Sequence, residues 1–447
     1  MGRLRRIAAI WTARLVGFAC RVSGKQGVTL AGQIALKIDP EILKELSAQV
    51  REKIFVTCGT NGKTTTNNLL CQAIEAEGKK VVCNHTGSNM LNGVVSAFVL
   101  QAGLLGNLDA DYACIEVDEA STVRIFPHFK PDYMVLTNLF RDQLDRYGEI
   151  DITMNLLKKA MDMAPDMEII VNGDDSLTTY LAMESGHKFV TFGIGEQYFK
   201  ETDENEIREG TFCKKCGSRM EYHFYHYSQL GDYYCPNCGF KRPKLDFDAK
   251  SIKAGGKLQF VVDNYEISAN YRGFYNIYNI LAAYSAGRMA GLSLKNYNKV
   301  LKKYNPENGR NEAFRIGETE IILNLAKNPA GFNQNISAVM EDEREKDIII
   351  LINDNSQDGT DVSWLWDVDF DRFKAGNIHS VTVSGIRCQD MRLRLKYVEI
   401  PSILEPDIEK AIRDRIKDGV GNLYVLVNYT GLYKTHMILK RMEGEKA

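Results

Sequence analysis

The run Val56-Thr57-Cys58-Gly59-Thr60-Asn61-Gly62-Lys63-Thr64-Thr65-Thr66 joins a β-prone stretch, Ile54 to Val56, to a segment, Asn67 to Glu77, whose apolar residues recur at helical spacing. A loop of small residues at a strand-to-helix junction constrains this chain more than any other feature. It calls for an α/β unit, and it aims backbone N–H groups and the positive end of a helix at one point, which makes an anion site. Lys63 is placed to reach the outer phosphates of a nucleotide and Thr64 to ligate Mg²⁺. Gly59, Thr60, Asn61, Gly62, Lys63, Thr64 and Thr65 are therefore the candidate ATP phosphate ligands. The strict phosphate-loop pattern has glycine at position 57, where this chain has Thr57, and a tight turn without a ligand is the alternative.

With 447 residues, of which 44% are hydrophobic and 26% charged, the chain has material for two to four globular domains. A net charge of −2 gives no general attraction to nucleic acid or to an anionic membrane, so any such contact has to be local. No run of eighteen uncharged apolar residues occurs. Residues 1–52 read as a helical leader. In it Arg3, Arg5, Arg6, Arg14 and Arg21 surround Ile7, Ile10, Trp11, Leu15, Val16 and Phe18, which makes a basic amphipathic helix. That pattern is read first as a helix docked on the next domain, with peripheral contact with the inner membrane face as the alternative.

From residue 53 to about 200 β-prone and helical runs alternate, as in a mostly parallel sheet covered on both faces. The expected strands are Val81 to Cys83, Tyr112 to Val117, Tyr133 to Asn138 and Glu168 to Asn172; Glu201 to Gly210 marks a boundary. Runs Leu258 to Val262 and Tyr265 to Ser268 resume the sheet, and a helix from Tyr275 to Met289 closes a domain spanning 53–312. A second α/β unit, 313–447, has expected strands Glu320 to Asn324, Asp347 to Ile352, Ser380 to Ser384 and Leu423 to Asn428.

Residues 211–242 differ in composition and read as an inserted miniature domain. Cys213-x-x-Cys216, eighteen residues, then Cys235-x-x-Cys238 has zinc-ribbon spacing, each pair being followed by glycine. Four thiolates would close the shell of one Zn²⁺ and leave no position for water, so the site is expected to be structural. Two disulfides are the alternative, disfavoured because the chain shows no signal peptide and reads as cytoplasmic. The other cysteines of the ten, Cys20, Cys58, Cys71, Cys83, Cys114 and Cys388, read as small core residues.

The strand expected at Asp347 to Ile352 runs into a loop, residues 353 to 367, that holds Asp354, Asp358, Asp361 and Asp367 with Trp364 and Trp366. α/β domains place function at such strand ends. Turn chemistry, a helix cap at Asp361 and core tryptophans are the structural alternatives.

The cradle variant Gly59-Thr60-Asn61-Gly62-Lys63-Thr64-Thr65 resembles that of the Mur ligase family, whose members activate a carboxylate with ATP and let an amine attack the acyl phosphate. Five further matches follow in order: Tyr112 to Glu116; Thr137-Asn138-Leu139 with Asp142-Gln143-Leu144-Asp145; Asn172-Gly173-Asp174-Asp175; Gly273-Phe274-Tyr275-Asn276 with Asn279 and Ala282-Ala283; and Gly309-Arg310 with Glu312. The chain departs from the family at Asp142-Gln143, where Asp-His is usual, and at Asn324-Leu325-Ala326-Lys327-Asn328-Pro329, where Asp-x-Ala-His-Asn-Pro is usual. Only the 52-residue leader stands where relatives carry a nucleotide-sugar-binding domain, so a UDP-linked substrate is expected to lose its usual seat.

The resemblance implies a central P-loop ATPase domain with an inserted four-cysteine zinc ribbon and a C-terminal Rossmann-like α/β domain. It implies Glu116 as a second Mg²⁺ ligand beside Thr64, Asn276 and Asn279 toward adenine, Asn324 on the ribose side, and Arg310 toward the phosphates. The family's carbamylated lysine has no secure counterpart, Lys158 matching by spacing alone. The likeness is to the branch that amidates the D-glutamate α-carboxylate of lipid II with ammonia from a separate glutaminase, GatD. Asp361 then matches the position that completes the glutaminase's Cys-His pair, with Asp358 the rival. A folylpolyglutamate-synthase-like ligase and a nucleotide-gated scaffold are the other readings; the zinc ribbon and the acidic loop weigh against the first, and the near-zero net charge against nucleic-acid binding by the second.

Overall fold

The computed structural model describes residues 2–22, 28–85, 87–142, 149–199, 209–255, 257–270, 273–304 and 310–444. Within them the leader forms three helices, α1 (Gly2–Val22), α2 (Val28–Ile38) and α3 (Ile42–Ser47). Next come β1 (Lys53–Cys58), α4 (Lys63–Ala76), β2 (Val81–Cys83), α5 (Leu91–Gln101), β3 (Tyr112–Glu116), α6 (Thr122–Ile125), β4 (Tyr133–Leu136), α7 (Ile150–Asp162), β5 (Glu168–Asn172), α8 (Ser176–Ser185) and β6 (Phe189–Ile194). The strands of this stretch pair in parallel, and β1 lies between β3 and β4 with Phe55 opposite Cys114 and Tyr133. All of β3 is buried, and β4 and β5 are buried from their second residue on, which is why they read as continuous apolar runs rather than alternating ones.

After the insertion, β9 (Phe247–Lys253) joins β6 in parallel, and β10 (Leu258–Val262) and β11 (Tyr265–Ala269) extend the sheet as an antiparallel meander. Among the described residues the order is β11-β10-β9-β6-β5-β4-β1-β3-β2. One face is covered by α4 with α9 (Asn276–Met289) and α10 (Tyr297–Lys303), packing Leu69, Leu70, Ile277 and Leu281 onto the sheet. The other is covered by α5, α7 and the leader. The leader is thus part of this domain's core, since Ala9, Ile10, Ala31, Ala35 and Leu46 are buried in one cluster with Val56 and Ile115.

The insertion contributes the hairpin β7 (Glu221–Tyr227) and β8 (Leu230–Tyr234) between its two cysteine pairs. The C-terminal unit has β12 (Arg310–Ile316), β13 (Thr319–Leu325), α11 (Pro329–Met340), β14 (Lys346–Leu351), β15 (Ile378–Ser384), α12 (Cys388–Tyr397), β16 (Ile403–Leu404), α13 (Ile408–Asp418), β17 (Asn422–Val427) and α14 (Tyr429–Gly444). Its sheet order among the described residues is β12-β13-β17-β14-β15-β16, parallel except for β12 against β13.

The C-terminal sheet begins at Arg310, before the Ala313 start expected from sequence. Arg310 pairs with Asn324, and a register shift between Arg310 and Glu312, with Asn311 at φ 56°, bends the strand into its hairpin. Gln143, Leu144, Asp145, Glu201 to Arg208 and Gly309 lie outside the described residues, so the strand end beyond Asp142, most of the Glu201 to Gly210 boundary and the start of the Gly309 match have no structural counterpart here.

Candidate active site

The cradle forms where β1 ends. Gly59 and Gly62 adopt φ of 122° and 84°, and a Cβ on Gly62 would stand 2.0 Å from Asn279 Oδ1, so only glycine lets the start of α9 approach the loop this closely. Asn279 Nδ2 donates to Asn276 Oδ1 at 3.0 Å, and both side chains are buried. The two asparagines expected near adenine therefore sit together beside the cradle.

Lys63 opens α4 and is itself buried. Its ammonium donates to Gly59 O (2.5 Å) and pairs with Glu119 Oε1 at 3.0 Å. Burial alone would lower its pKa, but Glu119, Asp118, Glu116 and Asp142 outweigh that and hold it above the usual lysine range. The lysine is thus charged. The next residue, Thr64, donates its hydroxyl to Glu116 Oε2 at 2.5 Å, and Asn89 Nδ2 donates to Glu116 Oε1 at 3.0 Å. A Cβ on Gly87 would come within 3.2 Å of Thr64 Oγ1 and 3.4 Å of Glu116 Oε2, so a bare glycine lies over this pair. A hydroxyl and a carboxylate converging beside a lysine are hard oxygen donors of the kind Mg²⁺ takes together with phosphate oxygens.

Two further residues shape the loop. Glu119 Oε1 also accepts from Gly59 N at 2.7 Å, so one carboxylate braces both the backbone and the lysine. Asn138, just past β4, accepts from Asn61 N (2.9 Å) and donates to Asn61 O (3.1 Å), clamping the loop's crest. Sequence reasoning placed neither in the site. Glu119 was visible only as the last acid of Glu116-Val117-Asp118-Glu119, and Asn138 only as part of a strand end.

The C-terminal unit reaches the same place. Asn328 caps α11 by accepting from Gly331 N at 2.8 Å, and its amide donates to Asn61 Oδ1 at 3.2 Å. Lys327 Nζ pairs with Asp142 Oδ2 at 2.6 Å, and Arg141 pairs with Asp367. Asn324 faces its own hairpin, donating to Asn311 Oδ1 at 2.8 Å. Arg310 is the first residue of β12. Lys158 lies on α7, exposed and facing Asp162, with none of the contacts that link the cradle residues.

In the insertion, Cys213 Sγ lies 3.6 Å from Cys238 Sγ and Cys216 Sγ 3.5 Å from Cys235 Sγ, and all four sulfurs fall within 4.8 Å of one another. These separations exceed the ~2.05 Å of a disulfide and are close to the ~3.8 Å edge of a sulfur tetrahedron around zinc. Gly217 and Gly239 take φ of 74° and 73° and donate back to Cys213 O and Cys235 O, closing each knuckle. The donor set fits one Zn²⁺.

On the acidic loop Asp358 and Asp361 part company. Asp358 is buried and bonded to the Thr430 amide and hydroxyl, and burial raises its pKa. Asp361 is partly exposed, accepts from Ser363 N (2.8 Å) and Oγ (2.9 Å), and those bonds lower its pKa. Trp364 packs on Phe332, while Trp366 stays half exposed against Tyr397.

Residues 56–287 match the Mur ligase middle domain family and residues 325–432 the MurT ligase C-terminal family. The chain is 37% identical to the lipid II isoglutaminyl synthase (glutamine-hydrolyzing) subunit MurT of Staphylococcus aureus, with 96% of each chain covered. It is 32% identical to the protein of that name from Streptococcus pneumoniae, over 93% of this chain and 92% of that one. A pseudomurein peptide ligase type C from Methanothermus fervidus shares the fold, with a TM-score of 0.71 over 89% of this chain and 80% of that one at 20% identity. Matched over 93–96% of its length by these relatives and built on a Mur-ligase-like pair of α/β sheets, the chain belongs to the MurT branch of the Mur ligase family.

Proposed function

We propose that the chain is the ATP-dependent ligase subunit of a glutamine-hydrolysing amidotransferase, and that it converts the D-glutamate α-carboxylate of the lipid II stem peptide to the amide, giving D-isoglutamine. The observation that carries this reading is the convergence of Lys63, Thr64 and Glu116 at the start of α4 beneath Gly87. A carboxylate at neutral pH is a poor acylating agent. Transfer of the γ-phosphoryl of ATP to it forms an acyl phosphate, which ammonia attacks with loss of phosphate. Lys63 holds positive charge against the transferring group, while the backbone of Gly59 to Gly62 and the α4 N-terminus bind the remaining phosphate oxygens. Mg²⁺ held by Thr64 and Glu116 would supply further neutralisation of the phosphates.

Ammonia comes from glutamine hydrolysed by a separate glutaminase of the GatD kind, in keeping with the name carried by the relatives. Asp361, ionised and accessible, lends its carboxylate to orient the partner's histidine and stabilise its imidazolium. The surface around it suits a protein partner: Leu393 and Tyr397 on α12, with Ile386 and Trp366 nearby, are exposed apolar residues. Asp358 holds the loop in place from within. The cysteine quartet holds a structural zinc ion. With ATP as phosphoryl donor and a lipid-linked substrate, the reaction would take place at the cytoplasmic face of the membrane.

The test compares ammonium-dependent and glutamine-dependent amidation of lipid II by the complex. Lys63→Ala is expected to lower both by at least about 100-fold, because one phosphoryl clamp serves both routes. Ammonium-dependent amidation that survives the substitution would overturn the assignment of the cradle.

A further inference from the structure

Helix α1 presents two faces. Ala9, Ile10 and Ala13 are fully buried against the central domain, so the helix is docked. Opposite them Leu4 is 76% exposed, Trp11 47%, Leu15 65% and Phe18 63%, with exposed Ala8 between. Positions 4, 8, 11, 15 and 18 follow helical spacing and form one stripe along the solvent side. Leu104 and Leu105, on the turn after α5, are also exposed and extend it sideways, since Trp11 Nε1 donates to Leu104 O at 3.2 Å.

The charges that α1 itself carries are of one sign, and the acid that meets the helix, Glu45 of α3, is paired with Arg6 at 2.9 Å. Arg3 and Arg5 are exposed and flank Leu4. Arg14 borders the stripe, donating to Leu100 O and Ala102 O. Residues 1–38 contain five arginines and two lysines and no aspartate or glutamate, in a chain whose net charge is −2. A solvent-facing row of leucine, tryptophan and phenylalanine is costly in water, and a border of exposed arginines matches a surface that is apolar below and anionic above.

We propose that this face docks the chain on an anionic lipid bilayer, with Leu4, Trp11, Leu15 and Phe18 entering the acyl boundary and Arg3 and Arg5 meeting headgroup phosphates. The inference rests on the proposed function insofar as it brings the cradle to a membrane-borne substrate, but the surface stands on its own geometry. Because α1 is already held by its buried face, it has no helix to fold on binding, and the ordering cost of an unfolded anchor is avoided.

The experiment is co-sedimentation of the full chain with vesicles free of lipid II and nucleotide, made of phosphatidylcholine alone or of equal parts phosphatidylglycerol and phosphatidylcholine. Binding is expected to the anionic vesicles and to weaken with salt. The variant Trp11→Ser/Leu15→Ser/Phe18→Ser should bind at least about tenfold more weakly with unchanged melting temperature, and Arg3→Glu/Arg5→Glu should weaken binding by about tenfold or more. Equal partitioning of the unaltered chain and the serine variant, or no partitioning at all, would overturn the proposal. So would a dimer in sedimentation velocity that the serine variant dissociates, since the stripe would then belong to a second copy. Lys63→Ala should bind vesicles normally, which separates failure of this inference from failure of the ligase reading.

Discussion

Asp358 and Asp361 sit three residues apart on one loop, and their environments suit them to opposite roles under the proposed function. A carboxylate that is to stabilise a partner's imidazolium must be ionised at neutral pH and reachable. Asp361 meets both conditions through its Ser363 bonds and its exposure, whereas Asp358 spends both oxygens on Thr430 inside the domain. Asp361→Asn preserves shape and removes charge. Glutamine-dependent amidation is expected to fall at least about 100-fold, with ammonium-dependent amidation near normal. Asp358→Asn should instead lower the melting temperature, by loss of about 1 kcal/mol of hydrogen bonding, and reduce both routes alike. A selective glutamine defect in Asp358→Asn with none in Asp361→Asn would reverse the assignment.

At the level of elements, the insertion is tied to the cradle by its hairpin tip. Gln229, fully buried between β7 and β8, donates to Leu139 O at 2.7 Å, one residue from the Asn138 that clamps Asn61. Arg242, just past the second knuckle, pairs with buried Asp174 at 3.0 Å. A metal held by the four cysteines would therefore also buttress the loop proposed to bind phosphate. Cys213→Ser/Cys235→Ser is expected to release one zinc per chain, measured by elemental analysis, and to melt the insertion. Gln229→Ala should keep the zinc but leave Leu139 O unpaired, costing about 1–3 kcal/mol and raising the ATP KM by roughly tenfold. Zinc-free protein with an unaltered KM would separate the two elements. The cysteine spacing and the loop before α4 were legible because each is a local pattern a few residues long, and β2, β5 and β10 appear with the bounds that their β-prone runs suggest. Gln229, Glu119 and Asn138 were not, because each acts across 56 to 90 positions of chain, where no periodicity points. The leader shows the same divide. Its amphipathic pattern was readable, but the pattern could not say that Ala9, Ile10 and Ala13 would be buried and Leu4, Trp11, Leu15 and Phe18 left in solvent, a choice made by the close approach of α2 and α5.

Across the whole molecule, both α/β units converge on Asn61: Asn138 holds it from the central sheet and Asn328 from the C-terminal unit. The flanking ion pair between Lys327 and Asp142 is expected to make this meeting sensitive to charge. Asp142 is almost fully enclosed, its pKa is lowered by Lys327 and Lys63 despite burial, and its Oδ1 has no hydrogen-bond partner among the described residues. Removing Lys327 leaves a carboxylate in a low-dielectric place with one cation fewer. The cost is about 2 kcal/mol, below the ~3–5 kcal/mol of a fully buried pair because Lys327 retains some solvent. That cost exists only while the two units meet, so it favours their separation by roughly 30-fold rather than unfolding either one. Lys327→Ala should therefore increase the radius of gyration in small-angle scattering and lower kcat equally with ammonium and with glutamine, while the melting temperature of each unit holds. Asp142→Asn placed in the same chain removes the stranded charge and should restore both scattering and kcat toward the unaltered values. If Lys327→Ala leaves the scattering unchanged, or if the double substitution is no better than the single one, the pair does not govern how the C-terminal unit closes on the cradle.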